Sequence, residues 1–153
     1  MSEPNYAGNI IVNLASLPSF LRKPILKKRM LEFFSMSEQE RKEIINNALE
    51  AGPTIQFASF SKLFKSWLEV LTTFSEEQRE ILFSGYINEV GNVPQKLISF
   101  NLDGILEIFL SLEDPKKEIL AKTINKIISN LDSKTKNRLF LIIPDSAKSH
   151  IGF

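Results

Sequence analysis

The chain has 153 residues, 43% of them hydrophobic, and its 19 Lys and Arg nearly balance 18 Asp and Glu, for a net charge of +1. This composition is typical of one globular domain that buries a core without a disulfide or metal ion. With no cysteine and one histidine, the sequence excludes disulfides, thiolate nucleophiles and multi-histidine metal sites. It shows no signal-peptide pattern and no apolar run of membrane-spanning length, so we expect a cytoplasmic protein without a transmembrane segment.

Apolar periodicity and helix-boundary residues predict a single all-α domain over residues 1–153. A short helix is possible at 8–16 within the N-terminal segment 1–17, and residues 144–153 are predicted to form an irregular tail. The first main helix is expected to bend or restart at Pro24, and the fifth to be interrupted near Asp103-Gly104. Seven helices are predicted, near residues 18–34, 37–51, 57–73, 75–90, 94–111, 114–130 and 133–143.

Helix starts and stops are legible in the sequence. Ser37 with Glu40 and Ser75 with Gln78 match the capping box, in which the side chains satisfy free N–H groups of the first turn. Asp114 reads as an N-cap followed by proline at the first helical position. The predicted stops are Gly52-Pro53, Gly91 and Pro144.

The helix boundaries recur at a fixed interval. Ser37, Ser75 and Glu113 are spaced by 38 residues, and half-steps of 19 give seven anchor positions from Pro18 to Asp132. All seven residues preceding an anchor are apolar, as are all seven residues eight positions after one. This pattern predicts a 38-residue repeat of two 19-residue helices arranged as antiparallel hairpins. A short right-handed α-superhelix and a helical bundle both remain compatible with it.

The stretch from Leu68 to Leu82 shows the repeated pattern of a leucine, two apolar residues, the serine anchor and an arginine four positions later. This pattern resembles that of small helical-superhelix modules, such as the N-terminal domains of magnesium transporters and flagellar motor switch proteins. The resemblance concerns where helices begin and end. It implies a superhelical fold, and it assigns no function and no residue role.

Four aromatic residues crowd the helix that follows Gly52-Pro53, namely Phe57, Phe60, Phe64 and Trp67. Core filling is one interpretation, since these residue types are usually buried. The other is an exposed aromatic groove, which is typical of peptide-binding hot spots. With the repeat, the groove favours a non-catalytic protein–protein interaction module, either an adaptor or a subunit of a larger assembly. Its partner would be another protein or a second copy of the chain.

A second hypothesis places the functional surface on the first helix, whose cations are Arg22, Lys23, Lys27, Lys28 and Arg29. Such a patch could contact nucleic acid or an acidic partner, whereas the alternative is a solvated helix face. The recurring cations Arg41, Arg79 and Lys117 are expected to form local ion pairs with Glu38, Glu76 and Glu113.

The third hypothesis is a metal-dependent enzyme. Asp103 and Glu107 share a helix face, and His150 is the one conventional base near neutral pH. Against it, Asp103 also fits a helix N-cap, and His150 falls in the predicted tail. We therefore expect neither catalysis nor a cofactor, metal ion or small-molecule substrate.

Overall fold

The computed structural model describes residues 13–143 together with Asp145 and Lys148. The protein is all-helical, as predicted, and the described residues contain no strand. A 3₁₀ turn, Gly52–Thr54, follows the second helix, and residues 13–15 are also helical. The α-helices are α1 Ser19–Phe34, α2 Glu38–Ala51, α3 Phe57–Leu71, α4 Glu76–Asn92, α5 Gln95–Ile98, α6 Leu102–Leu110, α7 Asp114–Ser129 and α8 Ser133–Ile142.

Most helix starts lie where the sequence predicts them. The Ser75 hydroxyl accepts from the Gln78 N–H at 3.2 Å, and the Gln78 side chain accepts from the Ser75 N–H, which completes a capping box. Ser37 likewise accepts from the Glu40 N–H at 3.2 Å. Helix α7 begins at residue 114 as predicted, but its N-cap is Glu113 instead of Asp114.

Two predicted interruptions differ in the structure. The first main helix continues through Pro24 without a restart. The break in the fifth predicted helix lies between α5 and α6, where the Asn101 side chain accepts from the Gly104 N–H at 3.0 Å. Asp103 is therefore not the N-cap. Position 104, inside α6, requires glycine because a Cβ there would overlap the ring of Phe57.

The predicted tail also differs where it is described, because Asp145 and Lys148 have helical backbone. Their side chains form an ion pair of 2.7 Å, and the Lys148 ammonium lies 3.7 Å from the centre of the Phe140 ring. Residues 8–12 of the predicted short helix and the remainder of the tail, including His150, fall outside the described residues.

The most extensive helix contacts do not join consecutive helices. They join α1 to α3, α2 to α4, α3 to α6, and α4 to both α7 and α8. In the predicted antiparallel hairpins, consecutive helices would have packed most closely. The difference is clear at α1, whose buried stripe consists of Arg22, Leu26, Met30 and Phe33. The Arg22 guanidinium in this stripe hydrogen-bonds to α3, which is not the next helix in the chain.

Two arginines form matching hydrogen bonds between helices. Arg22 on α1 donates to the Ser66 hydroxyl on α3 at 3.1 Å, and Arg79 on α4 donates to the Thr123 hydroxyl on α7 at 3.2 Å. Each guanidinium also donates to the carbonyl five residues before it, and each hydroxyl donates to the carbonyl four residues before it. The second pair follows the first by 57 positions, three steps of 19. Arg79 thus contacts Thr123 in place of the expected Glu76.

Each of the two interfaces also carries an ion pair, between the residue after the arginine and the residue three positions after the hydroxyl. Lys23 on α1 pairs with Glu69 on α3 at 3.3 Å. At the positions 57 residues later, Glu80 on α4 pairs with Lys126 on α7, so that the charges are exchanged. Glu80 and Lys126 attract each other as strongly in either order, because a Coulomb interaction depends only on the product of the two charges.

Candidate functional site

The outer face of α1 presents apolar side chains to solvent. Phe20 is 75% exposed, and Leu21 and Leu31 are 44% and 46% exposed. At 100° per residue, these three positions share one arc of the helix with Pro24 and two lysines, opposite the buried stripe. We call this surface the α1 outer face; its residues are Phe20, Leu21, Pro24, Lys27, Lys28 and Leu31.

The predicted basic patch is divided between the inside and the outside of the protein. Arg22 is only 5% exposed, and its guanidinium donates to the carbonyls of Leu14 and Lys62 as well as to Ser66. Its inclusion in a contact surface is therefore wrong, because a buried guanidinium with four acceptors is unavailable to a partner. The i, i+4 spacing of Arg22, Leu26 and Met30 is the sequence signal that places Arg22 on the core stripe.

Two more cations of the patch are occupied by ion pairs. Lys23 pairs with Glu69, and Arg29 pairs with Glu32 at 3.3 Å. Burial raises the pKa of the Glu69 carboxyl, but Lys116 and Lys23 together outweigh it and leave that pKa below its usual value. Lys27 and Lys28 are exposed and have no ion-pair partner within residues 13–143, so they are the cations that the α1 outer face offers.

The four aromatic residues of α3 form a continuous row of rings. Phe60 stacks on Phe64 with centroids 5.5 Å apart, and Phe64 stacks on Trp67 at 5.7 Å. Phe57 lies at the outer end of the row, 6.0 Å from Phe60 and 38% exposed. The inner three rings are half-buried and line an apolar cavity between the helices that is partly open to solvent.

This cavity has a volume of about 690 Å³ and is bounded by side chains from all eight described α-helices. Leucine, isoleucine, phenylalanine, valine and methionine make up most of its wall, together with Trp67. The exposed residues Arg29 and Glu43 mark its edge between α1 and α2. A volume and lining of this kind are typical of sites for small, largely apolar molecules.

Tyr86 contributes a polar group to the cavity wall. Its ring meets Trp67 edge-on at 5.6 Å, and burial raises the pKa of its hydroxyl to about 12. Among the described residues, no group forms a hydrogen bond with that hydroxyl. The hydroxyl is therefore free to form a hydrogen bond with a molecule in the cavity.

Two of the three residues of the metal hypothesis can be located in the structure. Asp103 and Glu107 are both exposed on α6, and His150 lies outside the described residues. Within residues 13–143, no group of three or more histidine and acidic side chains has an arrangement that could hold a metal ion.

The fold and these two features define an all-helical protein with an apolar cavity inside and a basic, apolar helix face outside. Comparison with profiles of protein families, with curated proteins and with solved structures finds no match to this chain. Across the part of the chain that the structure describes, no helix combines the length and apolar character needed to cross a bilayer.

Proposed function

We propose that this chain is a non-catalytic protein-interaction module that binds an acidic, partly apolar segment of a partner protein. The observation that carries the proposal is the α1 outer face, where Phe20, Leu21 and Leu31 are exposed beside Lys27 and Lys28. Contiguous exposed apolar side chains beside charged ones are typical of interaction surfaces. An acidic amphipathic helix would match both its apolar strip and its positive charge.

The small number of available cations favours a protein over the other acidic partners. Clusters of about four to eight Lys and Arg are typical of surfaces that bind anionic lipid. Specific DNA-binding proteins neutralise about six to ten phosphates. With Arg22 buried and Lys23 and Arg29 paired, the α1 outer face offers Lys27 and Lys28. Two lysines beside a strip of apolar side chains suit a protein surface better.

Site-specific photo-crosslinking in cells that express the chain tests this proposal. A benzophenone amino acid at position 20 is compared with the same group at position 141, since Leu141 is 83% exposed on α8. We expect position 20 to crosslink to one partner through a segment that contains acidic and apolar residues. The adduct should fall about tenfold in Lys27→Glu/Lys28→Glu, whereas the matched reversal of the exposed Lys122 and Lys134 should leave it intact.

Three outcomes would contradict the proposal. The first is an adduct whose yield is the same in the Lys27→Glu/Lys28→Glu variant. The second is equal capture of the same protein from position 141. The third is retention of the purified chain by phosphatidylserine-rich vesicles or by a DNA duplex at low salt, with loss of that retention on charge reversal at Lys27 and Lys28.

We further propose that the 19-residue pattern builds a short α-superhelix from a unit of 57 residues. In this arrangement, α4 and α7 repeat the pairing of α1 and α3, and α5 and α6 together take the place of α2. The matched Arg22–Ser66 and Arg79–Thr123 hydrogen bonds support it, as do the exchanged ion pairs beside them. The matched contacts are three half-steps of 19 apart, whereas the hairpin prediction required two.

Double-mutant cycles test this equivalence. Arg22→Met with Ser66→Ala, and Arg79→Met with Thr123→Ala, should each give a coupling energy of about 1–2 kcal/mol in urea unfolding. A coupling in one pair and none in the other would show that the two contacts do not play the same structural part.

A further inference from the structure

We propose that the internal cavity binds one uncharged, largely apolar molecule that carries a hydroxyl or carbonyl group. This proposal is independent of the α1 outer face, because the cavity lies on the opposite, buried side of that helix, with Leu26 and Met30 in its wall. The cavity is about 690 Å³ in volume, within the range of ~300–1,000 Å³ of small-molecule sites.

The charges around the cavity exclude a charged ligand. The one cation in its lining is Arg29, which sits at the edge and is already paired with Glu32. Glu32 and Glu43 leave that edge with more negative than positive charge. A carboxylate would be repelled by these two acids and would find no free cation in the cavity. An ammonium group would be attracted by them, but inside the cavity it would be buried without an acidic partner.

The hydroxyl of Tyr86 supplies the complementary polar contact. A phenol donates one hydrogen bond and accepts another, so it can bind either a carbonyl or an alcohol. Its ring is held against Trp67, whose indole and the stacked rings of Phe64 and Phe60 continue along the wall. Apolar chain or ring carbons of the ligand would pack along this aromatic row.

Trp67 is the only tryptophan of the chain, so its fluorescence reports on the cavity directly. We would titrate the full chain with 1-decanol, sodium decanoate and decylammonium below their aggregation concentrations. The expected result is a saturable change in Trp67 emission with 1-decanol, and at least about tenfold weaker binding of both charged probes. Absence of a saturable change with 1-decanol, or equal affinity for a charged probe, would overturn the proposal.

Two variants locate the binding. Tyr86→Phe should weaken 1-decanol roughly three- to tenfold and leave 1-chlorodecane unchanged, because only the alcohol makes a full hydrogen bond to the phenol. Ala48→Phe, in the cavity wall, should abolish binding and raise Tm, because the new ring fills space. The control is Ala58→Phe, at an exposed position of α3, which should leave binding unaltered.

The variants also supply outcomes that contradict the proposal. Unchanged 1-decanol binding in Ala48→Phe would place the probe elsewhere. Lost binding together with a lower Tm would show that Ala48 faces a packed core instead of a cavity. Equal losses of affinity for 1-decanol and 1-chlorodecane in Tyr86→Phe would show that the hydroxyl does not contact the ligand. Lys27→Glu/Lys28→Glu should bind 1-decanol normally, which separates this proposal from that of the α1 outer face.

Discussion

In both the α1 outer face and the aromatic row of α3, the side chains that reach solvent differ from those that the composition suggests. The row, from Phe57 to Trp67, has the composition of an exposed peptide groove, yet its inner rings face a cavity. The sequence of the helix with five cations predicts a charged patch, yet its most exposed large apolar side chain, Phe20, is 75% exposed. Composition identifies residues able to bind a partner, whereas neighbouring helices decide which of them can be reached.

The largest expected effect comes from truncating one phenylalanine in each region. Phe64→Ala should lower the free energy of unfolding by about 3 kcal/mol, because it removes two ring stacks and enlarges the cavity. Phe20→Ala, at an exposed position, should change it by less than about 0.5 kcal/mol. Urea unfolding of both variants measures the contrast. Equal losses would show that the Phe20 ring is packed against the protein.

Two cations of the same helix make a second contrast. Arg22→Met keeps an apolar stem and leaves the acceptors Leu14 O, Lys62 O and Ser66 Oγ without their donor, so we expect a loss of about 2–3 kcal/mol. Lys27→Met, on the outer face, should be neutral within about 0.5 kcal/mol. Thermal and urea unfolding both check this pair. A neutral Arg22→Met would place the guanidinium in solvent.

The inner region should also be sensitive to alkali through Tyr86. Its pKa in the folded protein is raised to about 12, so burial favours the neutral phenol. The contribution to stability is full below the unfolded value near 10 and is lost as pH rises toward 12, at most by about 2 kcal/mol. Unfolding measured between these pH values should show the loss in the parent chain. Tyr86→Phe should lack it, and an identical loss in that variant would assign the effect to other groups.

The smallest effect concerns Glu69, at the flank of α1. Because Lys116 and Lys23 hold its pKa below the usual value, its contribution is present above the unfolded pKa near 4.5 and disappears as pH falls through the lowered one. Glu69→Gln should reduce stability at neutral pH by less than about 1 kcal/mol, because the pair is partly exposed. In the variant, the free energy of unfolding should also depend less steeply on pH in the acid range. A dependence as steep as in the parent chain would contradict this assignment.

The helices were predictable because their signals are local. Ser75 with Gln78 marks a helix start through side-chain hydrogen bonds within four residues, and that signal needs no knowledge of the fold. The break before α6 was misplaced by two residues, because Asp103 and Asn101 are both good N-caps. The structure has Asn101 as the N-cap, and Phe57, distant in the sequence, packs closely against Gly104 in the first turn that follows.

The surfaces were less predictable because they depend on such distant contacts. The residues near Arg22 in the sequence do not show that the Ser66 hydroxyl and the Lys62 carbonyl on α3 accept its hydrogen bonds. The cavity is likewise a property of several helices together, since each contributes only a few apolar side chains that a packed core would also require. The hydroxyl of Tyr86 becomes informative only once its surroundings are known.

Hydroxyl-radical footprinting of the free chain tests the central distinction between the two regions in one measurement. Each residue's oxidation rate would be divided by its rate in the urea-unfolded chain, which removes differences in intrinsic reactivity. The account predicts a ratio near one for Phe20 and Leu31, and a ratio several-fold lower for Phe60, Phe64 and Trp67. Protection of Phe20 equal to that of Phe64 would contradict an outward binding face and an inward aromatic row.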